Sequence, residues 1–172
     1  LYDKQAKREA FRGEGNFLVA LEDTEEQSKQ VRLTGDEKPG HAWDIGLTGK
    51  TWELDRAVNV EVTEQGPARA TIRVTRRFRN SEFVQNVSLL AGVSRVDVGM
   101  SIDWAERSLF IKAGFPVNAS AQKVAAEIPY GAIERDQTGQ EMVMGKWVDI
   151  SEAGYGVAVL NDGRHGFDAK DN

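Results

Sequence analysis

Residues 70–79 read ATIRVTRRFR, and this stretch decides the fold class. The side chains of one parity are mostly small, apolar or aromatic, and those of the other parity are Thr or Arg. A period of two is typical of an antiparallel strand that buries one face and leaves the other in water. The stretch therefore predicts a half-buried β-strand.

The same alternation, in cleaner or looser form, recurs along the chain outside this stretch. It is found at residues 57–62, 83–90, 95–104, 109–116, 123–128, 142–144 and 156–160. Gly, Pro, Asn and Ser separate these runs, because such residues tolerate the backbone angles of a chain reversal. They cluster at residues 65–67, 79–82, 91–94, 137–139 and 161–163. Short strands at this spacing predict an all-β, antiparallel β-sandwich with few or no helices, forming a single domain over residues 1–172.

The composition excludes several classes of protein. The chain has 172 residues, 40% of them hydrophobic and 28% charged, with a net charge of -5 and no Cys. The apolar fraction is too high for a disordered acidic chain. No run approaches the roughly 18 apolar residues that span a bilayer, so no membrane partner is expected. The acidic balance argues against a nucleic-acid partner. Residues 1–5 lack the apolar core of a signal peptide, and we expect a cytoplasmic protein.

Residues able to perform chemistry are few or cannot be singled out. The two histidines, His41 and His165, are far apart and show no metal-ligand spacing, so no metal site is predicted in this chain. A glycosidase needs two carboxylates roughly 5 to 10 Å apart, and the sequence cannot select a pair from 27. Arg73, Arg77 and Arg79 share a parity, which favours a solvated strand face paired with Asp and Glu over an anion site.

Trp43 and Asp44 form the most suggestive local pair. They place an indole beside a carboxylate after a charged, loop-like stretch at residues 23–40. Sugars present apolar C–H faces and hydroxyl rims, which suit an aromatic platform next to an acceptor. A core position for Trp43 is equally compatible with the sequence.

An ordered series of short motifs points to a known family. LYDK at residues 1–4, GNFL at 15–18 and AWDI at 42–45 are followed by EIPYGAIER at 127–135, KWVD at 146–149 and GYGVAVLND at 154–162. In this order the sequence resembles the C-terminal β domain of glycoside hydrolase family 38 α-mannosidases of the prokaryotic kind. The resemblance implies a large β-sandwich (supersandwich) like that of galactose mutarotases.

The resemblance also implies where the chemistry lies. Enzymes of this family are retaining exo-α-mannosidases with an Asp nucleophile and one zinc ion, held in an α/β barrel and an adjoining helical segment. We therefore expect a segment excised from a larger enzyme, without catalytic residues or cofactor of its own and inactive alone, with zinc in the parent enzyme. Its expected partners are the catalytic barrel of the same polypeptide and a mannose-containing glycan.

The pocket-rim residues follow from the matched motifs. Trp43 is expected as a sugar platform and Asp44 as a hydroxyl acceptor, because their segment matches the family stretch that approaches the pocket. Further rim candidates are Tyr130, Arg135, Asn161 and Asp162. A strand bend at Tyr130 and a hairpin turn at residues 161–163 are the simpler interpretations. Two other functions stay open, an autonomous carbohydrate-binding module and a purely structural or interaction domain with an exposed apolar patch.

Overall fold

The computed structural model describes residues 1–24, 26–27, 45–54 and 56–170, and their defined elements are β-strands with antiparallel pairing throughout. The predicted all-β, antiparallel class is confirmed. The strands are β1 (Tyr2–Asp3), β2 (Arg8–Glu9), β3 (Phe17–Asp23), β4 (Leu47–Glu53), β5 (Ala57–Gln65), β6 (Arg69–Phe78), β7 (Ser81–Leu90), β8 (Val96–Asp103), β9 (Leu109–Gly114), β10 (Lys123–Ile128), β11 (Gly131–Asp136), β12 (Met142–Val143), β13 (Trp147–Glu152), β14 (Tyr155–Leu160) and β15 (Gly166–Phe167). Within the described ranges, no helix is long and apolar enough to cross a membrane.

The chain divides into two compact units. One comprises Leu1–Asn16 with Phe115–Asn172, and the other comprises Phe17–Gly114. The single β-sandwich domain expected over residues 1–172 stays a prediction.

The unit Phe17–Gly114 is a two-layer sandwich. A three-stranded sheet in the order β4-β3-β9 packs on a four-stranded sheet in the order β5-β6-β7-β8. The core between them consists of fully or nearly fully buried Leu18, Ala20, Leu54 and Phe83, with Trp52, Phe78 and Ile111 packed around it. Because β3 and β7 both send alternate apolar side chains inward, each sheet buries one face against the other.

The stretch quoted first forms β6 at the centre of the four-stranded sheet. Its polar face carries Arg73, which lies 3.4 Å from the carboxylate of Glu61. Arg77 lies on the same face, 3.0 Å from the carboxylate of Glu82. The predicted solvated face with paired carboxylates is confirmed. Arg79 follows in the turn and lies 3.9 Å from the carboxylate of Glu106.

The other unit contains a four-stranded sheet in the order β11-β10-β13-β14 and two short two-stranded sheets, β1-β2 and β12-β15. Val124 and Ala126 of β10 and Met144 after β12 are among its buried apolar residues. The registers Ile128↔Gly131 and Trp147↔Leu160 bring the end of β10, the start of β13 and the end of β14 to one end of the sheet. This end carries the site described next.

Candidate functional site

The six predicted rim residues have different outcomes. Trp43 and Asp44 lie outside the described residues, and their predicted roles stay predictions. Tyr130, Arg135, Asn161 and Asp162 all belong to the unit built on the β11-β10-β13-β14 sheet.

Tyr130 occupies the two-residue turn between β10 and β11, and its side chain is fully exposed. Its φ is 64°, in the left-handed region that a bulky residue rarely adopts. Pro129 precedes it, and Pro followed by a residue with positive φ is typical of a type II turn, whose second central position normally holds Gly or Asn. An exposed ring on a strained backbone position has no packing role, which is an observation that calls for a functional explanation.

Asn161 follows β14, and hydrogen bonds within the chain occupy its side chain. The carboxamide oxygen accepts from the backbone N–H groups of Gly163 at 3.0 Å and Arg164 at 2.6 Å. The amide nitrogen donates to the carbonyl of Gly145 at 3.4 Å. These bonds form the predicted turn at residues 161–163 and leave Asp162 exposed at its tip.

Residues 143–146 connect that turn to the end of β10. Gly145 donates its backbone N–H to the carbonyl of Glu127 at 2.7 Å, and the N–H of Lys146 donates to the Glu127 carboxylate. A Cβ at Gly145 would lie 2.4 Å from a carboxylate oxygen of Glu127. Only glycine therefore allows this close approach without displacing Glu127.

Arg135 contacts the same connecting segment from β11. Its guanidinium donates to the carbonyl of Val143 at 2.5 Å. Arg135 pairs with Val124 near the start of β10, so it lies at the other end of β11 from Tyr130. The structure therefore brings Arg135 and Asn161 to one segment, where both act as tethers.

Tyr130 and Asp162 are the two predicted residues that reach water at this sheet end. They lie beyond β10 and β14, which are two strand positions apart in the sheet. With strands about 4.8 Å apart, the two turns are separated by roughly 10 Å. This span matches a ligand of one or two sugar rings, held between an aromatic face and a carboxylate.

His165, Arg164 and Lys146 also lie exposed at this end, and the sequence reasoning did not select them as rim residues. His165 was considered only as a metal ligand. Its ring Nδ1 lies 3.2 Å from the carbonyl of Gly145. The backbone N–H of Met144 donates to the carbonyl of His165 at 2.9 Å. The sequence signal was the run NDGRH at residues 161–165, which follows directly on the predicted turn.

A metal centre is not assembled from the residues that the structure describes, since no three His, Asp or Glu side chains among them are grouped to hold an ion. The side chains at the sheet end are instead suited to binding, since they offer a ring, carboxylates and cations without a paired acid and base. The site has the composition of a polar and aromatic ligand contact.

An antiparallel all-β domain with a ligand-contacting sheet end is the class that fold and site define. The sequence model described as "Glycosyl hydrolases family 38 C-terminal domain" matches residues 1–172. The chain belongs to this family, as the motif series predicted.

The related proteins carry one kind of name. "Alpha-mannosidase G" of Dictyostelium discoideum is 27% identical in an alignment that covers 97% of this chain and 16% of that protein. "Alpha-mannosidase 2C1" of Homo sapiens is 28% identical over 73% of this chain and 13% of its own length. "Alpha-mannosidase" of Saccharomyces cerevisiae is 32% identical over 48% of this chain and 8% of its own length. This chain spans less than a fifth of each of these relatives.

Proposed function

We propose that this chain is the non-catalytic β-sandwich segment of a retaining α-mannosidase that hydrolyses terminal α-mannosides. The observation that carries the proposal is the family match over residues 1–172, together with relatives named as α-mannosidases. These relatives are several times longer than the chain, which is consistent with a supporting segment.

The catalytic groups of the parent enzyme belong, in this proposal, to a barrel outside residues 1–172. Retaining hydrolysis needs a nucleophilic carboxylate about 5 to 5.5 Å from an acid/base carboxyl. The zinc ion of the parent would orient sugar hydroxyls there and stabilise developing charge. The segment supports that barrel, and we place the whole enzyme in the cytoplasm.

The segment contributes Tyr130 to the rim of the sugar pocket. Its exposed ring can stack on the C–H face of a mannose unit, and Asp162 can accept hydrogen bonds from hydroxyls about 10 Å away. Asn161 and Arg135 act as positioning residues, because their side chains hold the turn at residues 161–164 and the segment at 143–145. Trp43 and Asp44 are proposed as a further platform and acceptor.

Turnover of an aryl α-mannoside tests the division of labour. We expect zinc-dependent hydrolysis by the full-length parent enzyme and none by the 172-residue chain. Robust zinc-dependent turnover by the chain alone would contradict the proposal.

Substitution of the exposed ring tests the rim. Tyr130→Ala in the parent enzyme should raise KM several-fold for an oligomannoside, with a smaller effect on the aryl mannoside. Tyr2→Ala is the matched control, because Tyr2 is also an exposed tyrosine but lies in β1. Equal effects of the two substitutions would remove Tyr130 from the rim.

The exposed ring at Tyr130 also supports a second candidate, an autonomous carbohydrate-binding module. Calorimetric titration of the 172-residue chain with mannose oligomers separates the two. Heat of binding that is lost in Tyr130→Ala or Trp43→Ala would favour the module. A chain that binds no sugar at millimolar concentration would leave the supporting segment or a purely structural domain.

A further inference from the structure

The four-stranded sheet β5-β6-β7-β8 has one apolar face that is only half covered. Cross-strand pairing places one set of apolar side chains on the same side, through Val62↔Ile72, Ile72↔Val87 and Val87↔Val98 in one row and Val60↔Val74 in the next. We call the exposed part of this set the open apolar face, and it consists of Val60, Val62, Ile72, Leu89, Val98 and Met100.

Exposure of these side chains is large for a sheet interior. Val60 is 61% exposed and Val62 is 62% exposed, and Leu89 on β7 is 49% exposed. The register brings no charged residue into the open apolar face, whereas the opposite side of the sheet carries Glu61, Arg73, Arg77 and Glu82. A contiguous apolar area of this kind, bordered by polar residues, is typical of an interaction surface.

The other half of the same face is already a protein interface. Phe83 of β7 is completely buried there, beneath Leu18 and Ala20 of the three-stranded sheet. The open apolar face is therefore the direct continuation of a sheet-on-sheet contact. A second layer of β-strands, about 10 Å above the first, is the geometry that continues it.

The edges of the covering sheet provide a means of extension. Within the described part of the chain, β4 and β9 each pair only with β3, so each leaves one edge with unpaired backbone groups. Incoming strands can hydrogen-bond to such an edge while their apolar side chains cover the open face.

We propose that the open apolar face docks the apolar face of further β-strands from the same polypeptide, outside these 172 residues. The partner rests on the proposed function, because it is the remainder of an α-mannosidase chain. The aligned segments occupy only 16% and 13% of two relatives, so most of each relative lies outside the matched region. Continuity with the existing sandwich makes such strands the favoured occupant over a second copy.

A unique thiol reports coverage of this face, since the natural sequence has no Cys. Val60→Cys places the thiol on the open apolar face. Asn59→Cys is the matched control, because Asn59 is the preceding, exposed residue and pairs with Thr75 on the polar side. The rate of alkylation by iodoacetamide is measured by peptide mass spectrometry in the 172-residue chain and in the full-length parent polypeptide.

We expect both thiols to react at similar rates in the 172-residue chain. In the parent polypeptide, Val60→Cys should react at least about tenfold more slowly, while Asn59→Cys stays unchanged. Equal rates in the parent would overturn the proposal. Protection already in the isolated chain would also overturn it, since concentration-dependent protection indicates a second copy and concentration-independent protection indicates another part of this chain.

The same parent preparation is assayed for hydrolysis of an aryl α-mannoside. Protection of Val60→Cys without mannosidase activity would contradict the proposed function and leave the docking surface in place. Activity without protection would have the opposite meaning, so the two failures are distinguishable.

Discussion

The guanidinium of Arg8 lies 2.6 Å from the carboxylate of Glu152, although 144 residues separate the two along the chain. The second oxygen of this carboxylate accepts the backbone N–H of Ser120 at 2.8 Å. Arg8 also lies over the ring of Tyr155, 4.1 Å from its centroid. One charged pair thus joins β2 to the β13–β14 hairpin. The Ser120 N–H first, and Arg8 second, lower the pKa of Glu152 below its ordinary value.

Acid should destabilise the protein partly through Glu152. Because its pKa is lower in the folded state than in the unfolded state, its contribution is complete above the ordinary Glu pKa of about 4.3 and is lost as the pH falls through the folded value. Glu152→Gln should therefore lower Tm at neutral pH and flatten the decline of Tm toward about pH 3. Thermal unfolding followed by circular dichroism across this range measures both effects.

Part of the acid sensitivity should persist in Glu152→Gln. The pKa of Glu22 is lowered by the Thr48 hydroxyl and by Lys50, and that of Glu64 is lowered by Arg69 and Thr71. The exposed residue Glu134 provides the control, because Glu134→Gln should keep the wild-type profile. A Glu152→Gln profile that runs parallel to wild type would contradict the assignment.

Phe83 should be the most sensitive position in the core of the Phe17–Gly114 unit. Its side chain is completely buried, and its ring meets Trp104 edge-on at a centroid distance of 6.2 Å. Phe83→Ala should cost about 3–5 kcal/mol of the free energy of unfolding, because it removes apolar contacts and leaves a cavity. Urea unfolding measures this loss. Val58→Ala, at an exposed position, should change it by less than about 0.5 kcal/mol, and comparable losses would refute the packing role.

Gly145→Ala should loosen the connection at the candidate site. The new Cβ would lie 2.4 Å from the Glu127 carboxylate, so Glu127 must move and release the N–H of Lys146. The lost hydrogen bond should cost about 1–3 kcal/mol, measured by chemical unfolding. Gly166→Ala is the matched control, because nothing lies within 4 Å of a Cβ at Gly166. Faster amide exchange at Lys146 in Gly145→Ala alone is the local signature, and its absence would argue against the clash.

Arg73→Gln should have little effect on stability. Arg73 and Glu61 are exposed, and the closest nitrogen–oxygen distance between them is 3.4 Å. Water and salt screen such a pair, so the change in the free energy of unfolding should stay below about 1 kcal/mol and shrink further at high salt. Unfolding at low and high salt tests this. Sulfate that stabilised the wild type but not Arg73→Gln would instead support an anion site on the polar face.

Sequence reasoning reached the strands with clear alternation and missed others. The run at residues 70–79 is β6, within one residue at each end. β3 was not predicted, because FLVAL at residues 17–21 is uniformly apolar and shows no period of two. β4 was not predicted either, because LTGKTWE is mostly polar. Pairing with β3 makes it a strand, as tertiary context outweighs intrinsic preference.

The candidate site was predictable only in part. The exposed turn at Tyr130 and the turn after β14 follow from Pro129 and from the run NDG at residues 161–163, since turn chemistry is a property of neighbouring residues. The tethering of Arg135 to Val143 and of Asn161 to Gly145 was not predictable. Both contacts depend on how β10, β13 and β14 are aligned across the sheet.

The sequence by itself determined the all-β class, the positions of most turns and the paired polar face of β6. These properties depend on alternation and turn residues within a few positions of one another. Only the tertiary structure decided that Arg8 meets Glu152, that the side chain of Asn161 is used by its own turn, and that one half of an apolar sheet face stays open. Such features depend on strand register and layer packing between segments tens of residues or more apart, which no local pattern encodes.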